Sequence, residues 1–172
     1  MSLVELTVRR AEASEVESLA DLAYIAWERD LRPFLSGPAA SPQAEKRRLS
    51  AAVHELLDRI IVADIDGVAV GWCGRARNRA YVPYLFVTPS LQNQGIGTLL
   101  LRRMESLLEL EGAERVQLDT LSDNVRAVSF YQHQGYQILA LKRQSQQGHD
   151  PETSVRLEKR LAPYHGEITE LD

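Results

Sequence analysis

Residues 83–104, PYLFVTPSLQNQGIGTLLLRRM, carry the most informative pattern of this chain. An apolar run comes first, a polar loop ending in Gln-Gly-Ile-Gly follows, and an amphipathic run begins at the second glycine. A strand that leads through glycines into a helix aims several unpaired backbone N–H groups at one point, and the helix dipole reinforces them. Such a point attracts phosphate, and Gly95 and Gly97 carry no Cβ that would keep a pyrophosphate from the main chain. A tight turn, or close packing of the helix on a sheet, would require the same glycines.

The segments before this stretch predict one strand, two helices and a hairpin. Residues 3–10 alternate apolar and polar side chains, which indicates a half-buried strand. Residues 13–31 have the apolar spacing of a helix, with Ser14 as its N-cap. A loop with three prolines leads to a second helix, roughly residues 42–57. Two apolar runs then meet at Asp66-Gly67, a strong signal for a hairpin.

The segments after the hairpin predict two helices and four strands. Strands are expected at AYVPYLFV, ERVQLDTL, YQILALKRQ and TSVRLEKRL, and helices at QGIGTLLLRRMESLLELEG and NVRAVSFYQHQG. The order is β-α-α-β-β-β-α-β-α-β-β, with a polar loop at SQQGHDPE. A helix between two strands at residues 80–119 implies a right-handed parallel crossover in an otherwise mostly antiparallel sheet. We expect one domain over residues 1–161 and a tail over 162–172.

Composition excludes several classes of function. The formal charge of −4 gives no electrostatic footprint for nucleic acid or for an anionic membrane. One cysteine, Cys73, excludes an internal disulfide, and no Cys/His cluster has zinc-ligand spacing, so we predict no metal site. The N-terminus lacks a signal-peptide core, and no apolar run approaches the ~18 residues of a membrane span. A cytoplasmic location is expected.

Two motifs resemble those of one family. LFVTPSLQNQGIGTLLL is similar to the cofactor-binding motif [QR]-x-x-G-x-[GA] of the GNAT superfamily of acetyl-CoA-dependent N-acetyltransferases. About thirty residues later, NVRAVSFYQHQGY resembles the family pattern N-x-x-A-x-x-x-Y-x-x-x-G-[FY]. The element order agrees over about residues 3–161. The resemblance implies a GNAT fold, an α+β architecture with a mixed, mostly antiparallel sheet of about seven strands. About four helices flank that sheet, which is splayed between its fourth and fifth strands.

The resemblance also implies where acetyl-CoA binds. In the family, backbone N–H groups of the loop and the helix start hold the coenzyme A pyrophosphate. Here the positions are Gln92, Asn93, Gln94, Gly95, Ile96, Gly97 and Thr98. Main-chain groups of Leu85, Phe86 and Val87 correspond to those that bond the pantetheine, and the Leu85 N–H corresponds to the donor to the thioester carbonyl. Asn124 corresponds to a residue that bonds pantetheine or caps the following helix. Pro83 supports a splay, because proline is rarely found within a central strand.

Tyr131 occupies the family's general-acid position, where a phenol protonates the departing thiolate. Taken without the motif, it would be a half-buried packing residue. A general base must take a proton from the amine. Two positions that carry a catalytic glutamate in some members are Tyr81 and Pro83 here. Asp119 matches another acidic position and is our first choice as the base. Tyr84, Tyr81 and Glu28 are the reserve candidates, and a water relay is the default.

The acceptor pocket is expected between the first helix, its following loop and the central strand. Its candidate residues are Trp27, Glu28, Asp30, Phe34, Tyr81 and Tyr84. Aromatic rings beside acids suit a cationic amine, although Trp27 and Phe34 are equally consistent with core positions. Three alternating arginines at 75, 77 and 79 either attract an acidic substrate or the coenzyme's phosphate, or cover a solvated strand edge.

The function implied by the resemblance is N-acetyl transfer from acetyl-CoA to a primary amine, by direct attack in a ternary complex. The acceptor is either a small amine or a peptide N-terminus. A non-catalytic acyl-CoA sensor would need the same phosphate site without Tyr131 or a base, and a nucleotide-binding protein of another class would use the same helix start. Neither nucleic acid nor membrane is an expected partner. Homodimers are common in the family, and the sequence does not decide between monomer and dimer.

Overall fold

The computed structural model describes residues 5–144 and 152–162, and its element order is the one predicted. The polar loop at SQQGHDPE and the tail from residue 162 lie outside the described residues, apart from Glu152 and Ala162. The elements are β1 (Leu6–Arg10), α1 (Val16–Asp30), α2 (Pro42–Leu56), β2 (Ile60–Ile65), β3 (Val68–Gly74), β4 (Tyr84–Val87), α3 (Ile96–Leu110), β5 (Arg115–Leu121), α4 (Val125–His133), β6 (Gln137–Gln144) and β7 (Glu152–Arg160).

The seven strands form two antiparallel sheets that meet at one point. The first sheet has the order β1-β2-β3-β4 and the second the order β5-β7-β6. They touch through a parallel bridge in which the Val82 N–H donates to the Gln117 carbonyl at 3.0 Å and the Gln117 N–H donates to the Ala80 carbonyl at 3.0 Å. Pro83, which has no N–H, comes next, and β4 and β5 are not paired from there on. The predicted α+β fold with a splay between the fourth and fifth strands is confirmed.

Helix α3 holds the two sheets together. Its buried stripe consists of Ile96, Leu100, Leu101, Met104 and Leu108. This stripe packs in one core cluster with residues of the first sheet, such as Ile61 and Ala63, and of the second sheet, such as Val116, Leu118 and Leu157. Burial of apolar surface at about 25 cal/mol per Å² is therefore shared between both sheets and one helix.

Helices α1 and α2 cover the other face of the first sheet. Their buried side chains form a second cluster around Trp72 of β3, which is fully buried and donates its indole N–H to the Leu19 carbonyl at 2.9 Å. Helix α2 begins at Pro42, as predicted, and Ser41 is its N-cap. A buried indole with its donor satisfied fixes α1 against the sheet.

The predicted start of α1 is wrong by a few residues. Ser14 lies inside a short 3₁₀ turn, Ala13–Glu15, and caps nothing. The Glu15 side chain instead accepts the Glu12 N–H at 2.8 Å, and the same carboxylate binds Arg9 of β1 at 2.6 Å. A long glutamate side chain satisfies an orphan N–H and an arginine together, which the shorter serine does not.

In the described part of the chain, no helix combines the length and the apolar character needed to cross a bilayer.

Candidate active site

The separation of β4 from β5 opens a cleft of about 1200 Å³. The C-terminal ends of α1 and β4, the loop that follows β4, the start of α3, the end of β5 and α4 all contribute to its wall. Six of the predicted loop positions line it: Gln92, Asn93, Gly95, Ile96, Gly97 and Thr98. Leu85, Phe86, Val87, Asp119, Asn124 and Tyr131 line it too, whereas Gln94 does not.

The loop before α3 presents a row of unbonded amides. Asn93 and Gly95 both have left-handed backbone angles, with φ of 62° and 85°. The first helical hydrogen bond runs from the Leu99 N–H to the Gly95 carbonyl, at 3.0 Å. Within the described residues, the amides of positions 93–98 have no hydrogen-bond acceptor. At the positive end of a fifteen-residue helix, these groups suit a phosphate.

Gly95 and Gly97 differ in their backbone angles and in their surroundings. Gly95 needs its positive φ, and a Cβ built there meets no protein atom within 4 Å, so its surroundings are open. A Cβ on Gly97 would lie 3.6 Å from Phe130 and 3.7 Å from Val87, which is ordinary contact. Close packing of the helix on the sheet therefore requires neither glycine, and the motif's tolerance of alanine at the second position agrees with this geometry.

Gln92 uses its side chain to fix the loop. Its amide Nε2 donates to the Asp30 carboxylate at 2.7 Å and to the Val87 carbonyl at 3.2 Å. One side chain thus ties the end of α1 to the end of β4. Asn93 is held from the other side of the cleft, since Arg126 of α4 donates to its Oδ1 at 3.0 Å.

The main chain of β4 faces the cleft at alternate residues. Thr88 donates its N–H to the Val70 carbonyl at 2.8 Å, which marks a hydrogen-bonded pair with β3. By the alternation of an antiparallel ladder, Phe86 also bonds to β3, while the N–H groups of Leu85 and Val87 point the other way, toward β5. The prediction that the Phe86 main chain contacts the pantetheine conflicts with this pattern, because β3 already uses those groups.

Tyr131 presents a phenol to the cleft. Its ring makes edge contacts with Phe130 and Tyr136, with centroid distances of 5.1 and 5.7 Å. Its hydroxyl makes no hydrogen bond to the described residues. Burial raises the pKa of Tyr131 far above its usual value, so the hydroxyl keeps its proton at neutral pH. Asn124 begins α4 as an N-cap, its Oδ1 accepting the Ala127 N–H at 3.2 Å.

Asp119 is not the free carboxylate expected of a base. Arg156 donates to both of its oxygens at 2.8 Å, and the Tyr81 hydroxyl donates to Oδ2 at 3.0 Å. Partial burial works against ionisation, yet the hydrogen bonds from Arg156 and Tyr81 outweigh it and lower the pKa of Asp119. Burial, followed by the Asp119 charge, raises the pKa of Tyr81 to about 12. Both groups are therefore weak proton acceptors in their present form.

Most predicted acceptor residues lie elsewhere. Trp27 is 2% exposed and belongs to the core between α1, α2 and the first sheet. The Tyr84 ring packs on Trp72, and its hydroxyl accepts from Arg48 at 3.1 Å. Glu28 is on the exposed face of α1, paired with Arg32 at 3.1 Å. Trp27, Glu28, Tyr81 and Tyr84 do not line the cleft, whereas Asp30 and Phe34 do.

Several residues of the site were not foreseen. Arg156, which binds Asp119, lies 37 positions away on another strand, and nothing in the local sequence links the two. Phe130 and Arg126, by contrast, lie inside the second motif, and the motif could have identified them as site residues. Across residues 5–144 and 152–162, no group of three or more His, Cys, Asp or Glu side chains is arranged to hold a metal.

Known proteins are similar to this chain in part of its sequence and in its fold. The protein YdhI of Bacillus subtilis, itself uncharacterized, is 43% identical over 51 residues, which is 30% of this chain and 32% of that protein. The alignment thus spans about a third of that relative. A GCN5-related N-acetyltransferase from Rhodopseudomonas palustris superposes with a TM-score of 0.74 at 19% identity, covering 94% of this chain and 99% of that one.

A second solved structure is YncA, a putative acetyltransferase from Salmonella typhimurium determined with its cofactor acetyl-CoA. It has a TM-score of 0.67 at 17% identity, over 93% of this chain and 96% of that one. At such identities these two structures show the fold alone. A sequence profile of the acetyltransferase (GNAT) family matches residues 19–136, well over half of the chain. With both motifs on the cleft between the splayed strands, the chain belongs to the GNAT acetyltransferase family.

Proposed function

We propose that this protein transfers an acetyl group from acetyl-CoA to a primary amine, with both bound at once in the cleft. The observation that carries the proposal is the row of unbonded amides at positions 93–98, set at the N-terminus of α3. Internal hydrogen bonds at these amides would have left no place for a diphosphate. The acetyl-CoA bound to YncA, a structural neighbour, supports the choice of ligand.

The residues of the cleft fit coenzyme A. The amides of Asn93 to Thr98 would hold the pyrophosphate, and Gly95 leaves open space in front of them. The outward N–H groups of Leu85 and Val87 would bond an extended pantetheine in the gap that β4 leaves beside β5. Bound acetyl-CoA supplies an activated acyl thioester.

Two groups of the protein then have defined chemical roles. The Leu85 N–H lies near the closed end of the gap and is aimed at it, so it can donate to an oxygen that gains negative charge there. Tyr131 holds a proton on its hydroxyl at neutral pH and has no protein partner among the described residues, so that proton is available to a departing thiolate.

Proton removal from the amine is assigned to water rather than to a side chain. We propose that Asp119 positions the Tyr81 side chain, because both of its carboxylate oxygens already accept hydrogen bonds from Arg156 and Tyr81. In this role Asp119 fixes the positions of Tyr81 and Arg156 beside the path by which the amine would enter. An alkylammonium has a pKa near ~10.4, so only a small fraction is the neutral amine at pH 7, and that fraction, already deprotonated by bulk solvent, would be the attacking species. The second proton, which the nitrogen loses on acylation, would return through water to the Tyr131 oxygen that protonates the thiolate.

Acetyl-CoA titration by calorimetry, followed by release of free coenzyme A thiol with a panel of amines, tests the proposal. Binding in the micromolar range together with amine-dependent thiol release is expected. Binding without release for any amine would leave an acyl-CoA sensor as the function. Absence of binding, or equal competition by ATP and NAD, would exclude coenzyme A as the ligand.

A further inference from the structure

The second sheet carries an uneven distribution of charge on the face that points away from α3. Side chains of β5 alternate, so that Val116 and Leu118 are buried against α3 while Gln117 and Asp119 face the opposite way. Asp119 lies directly opposite Arg156 in the β5–β7 register. Lys142 of β6 reaches the same carboxylate, with its Nζ 3.8 Å from Oδ2.

Tyr81 and Arg79 complete this group, which we call the charge cluster: Arg79, Tyr81, Asp119, Lys142 and Arg156. The Arg79 guanidinium lies 4.2 Å from the centre of the Tyr81 ring, and the Arg156 guanidinium lies 5.7 Å from it. Two cations, Lys142 and Arg156, thus pair with the Asp119 carboxylate, and a third, Arg79, stacks on the Tyr81 ring. A surplus of two positive charges is left on a chain whose formal charge is −4, so the surplus is local and is not a consequence of overall composition.

Arg79 differs from the two other arginines of its run. Arg75 forms an ion pair with Glu111, and Arg77 binds Asp58. Arg79 is exposed and has no carboxylate within ion-pair distance in the described part of the chain. Its stacking on Tyr81 fixes the position of the guanidinium and leaves its N–H donors for a ligand.

The charge cluster adjoins the place where an acceptor must approach. This step rests on the proposed function: coenzyme A on the amides at positions 93–98 occupies the α3 and α4 side of the cleft. The remaining approach lies on the opposite face of β5, and Asp119 is on both that face and the cleft wall. Two guanidinium groups, those of Arg79 and Arg156, already lie against the Tyr81 ring, so a cationic amine there would meet like charges.

We propose that the acceptor is a primary amine that also carries an anionic group, a carboxylate or a phosphate, held by Arg79 and Lys142 of the charge cluster. Guanidinium binds both anions through paired N–H groups. This proposal is the opposite of the cationic acceptor that aromatic rings beside acids suggest.

Matched acceptors test the charge preference directly. Thiol release from acetyl-CoA is measured with β-alanine against β-alaninamide, with phosphoethanolamine against ethanolamine, and with putrescine as a cationic amine. We expect kcat/KM to be at least about tenfold higher for the anionic member of one or both pairs. Which pair shows the larger ratio separates carboxylate from phosphate. Equal rates within both pairs, or a preference for putrescine, would overturn the proposal.

A matched pair of variants places the preference on Arg79. In Arg79→Gln the ratio of anionic to neutral kcat/KM should fall about tenfold, while Arg77→Gln, whose arginine is paired with Asp58, should keep the wild-type ratio. Calorimetry must give the wild-type affinity for acetyl-CoA in both variants. Lost acetyl-CoA binding in the wild-type protein would instead reject the proposed function, so the two failures are distinguishable.

Nuclear magnetic resonance measures binding of the anionic group to Arg79 without any turnover. The coenzyme A complex is titrated with succinate, and with succinamide as the neutral control, while the guanidinium Nε–H signals of Arg79 and Arg156 are followed. Shifts that saturate with succinate alone support the proposal. An unchanged Arg79 signal would refute it, whichever acceptors are turned over.

Discussion

At the scale of single residues, Tyr131 combines accessibility with a firmly held proton. Replacing it with phenylalanine removes one oxygen and keeps the ring contacts with Phe130 and Tyr136. We expect kcat to fall about 10- to 100-fold, because general-acid catalysis contributes factors of this order or more, while the affinity for acetyl-CoA stays the same. Steady-state kinetics and calorimetry measure the two quantities. Since burial raises the pKa of Tyr131, the wild-type rate should not decline from loss of this acid between pH 8 and about pH 10.

Tyr24→Phe is the matched control for this variant. Tyr24 is a half-buried phenol of α1 that donates to Glu28 at 3.3 Å, away from the cleft. Its loss should leave kcat as it is. A Tyr131→Phe enzyme with the wild-type kcat would show that the proton comes from elsewhere.

Asp119 provides a prediction of pH-dependent stability. Its folded pKa is lowered, chiefly by the hydrogen bonds from Arg156 and Tyr81, which outweigh the effect of burial. Its contribution is therefore present above the unfolded pKa of about 3.9 and is lost as the pH falls through the lower, folded value. Asp119→Asn should reduce the free energy of unfolding by about 1–2 kcal/mol at pH 7, since Arg156 loses an ionised acceptor.

Urea denaturation at pH 7 and at pH 3 measures this difference. The gap between variant and wild type should narrow at pH 3, where the wild-type carboxylate begins to protonate. Asp21→Asn is the control, because Asp21 is exposed on α1 and has no ion-pair partner among the described residues. A gap of undiminished size at pH 3 would contradict the assignment of the ion pair as its source.

At the scale of elements, the start of α3 separates two uses of glycine. Gly95 has a φ of 85°, so alanine there should cost about 1–2 kcal/mol of unfolding free energy. Gly97 is inside the helix and has room for a Cβ, so alanine there should add about 0.5–1 kcal/mol. Thermal or urea denaturation of Gly95→Ala and Gly97→Ala should give shifts of opposite sign. Destabilisation of equal size in both would mean that packing, not backbone angle, selects the glycines.

The order of elements could be predicted from the sequence because it depends on local chemistry. Asp66-Gly67 is an example: both residues have positive φ, 51° and 84°, as a two-residue hairpin turn requires. The glycine loop and Asn124 are further examples, since each sits within a few residues of the helix that it starts. Patterns of this kind need no knowledge of distant partners.

Features that depend on distant pairing could not be predicted. Strand β7 inserts between β5 and β6, and only that insertion brings Arg156 opposite Asp119. The helical spacing of Trp27 shows an apolar stripe but not whether it faces a core or a cleft. Tyr84 and Leu85 are adjacent in sequence, yet the pleat sends Tyr84 to the α1 side and Leu85 to the α3 side. The main-chain positions of a motif could therefore be placed on the cleft from the sequence, whereas side chains whose facing is set by the whole sheet could not.

At the scale of the molecule, the cleft exists because two sheets share one helix. The segment just before β4, residues 80–82, touches β5 at Gln117, and β4 itself is not paired with β5, but α3 keeps both sheets in one core cluster. A gap in a sheet would ordinarily expose unpaired backbone groups. Here the exposed N–H groups of Leu85 and Val87 are the ones proposed to bind pantetheine. The unpaired edge of β4 would then serve as a ligand-binding edge.

This arrangement leads us to propose that residues 1–161 unfold as one cooperative unit, and Leu118→Ala tests it. Leu118 is 1% exposed in the second sheet and belongs to the core cluster that includes the buried stripe of α3, so its truncation should cost about 2–5 kcal/mol. Both tryptophans, Trp27 and Trp72, lie in the cluster on the other side of the first sheet. If α3 couples the sheets, tryptophan fluorescence and far-ultraviolet circular dichroism must shift to lower urea by the same amount. Leu110→Ala, at a position 79% exposed at the end of α3, should shift neither signal. A fluorescence midpoint that stays in place while the dichroism midpoint changes would mean that the second sheet unfolds separately. In that case the tryptophans, which report on the first sheet, would not respond to a cavity in the second.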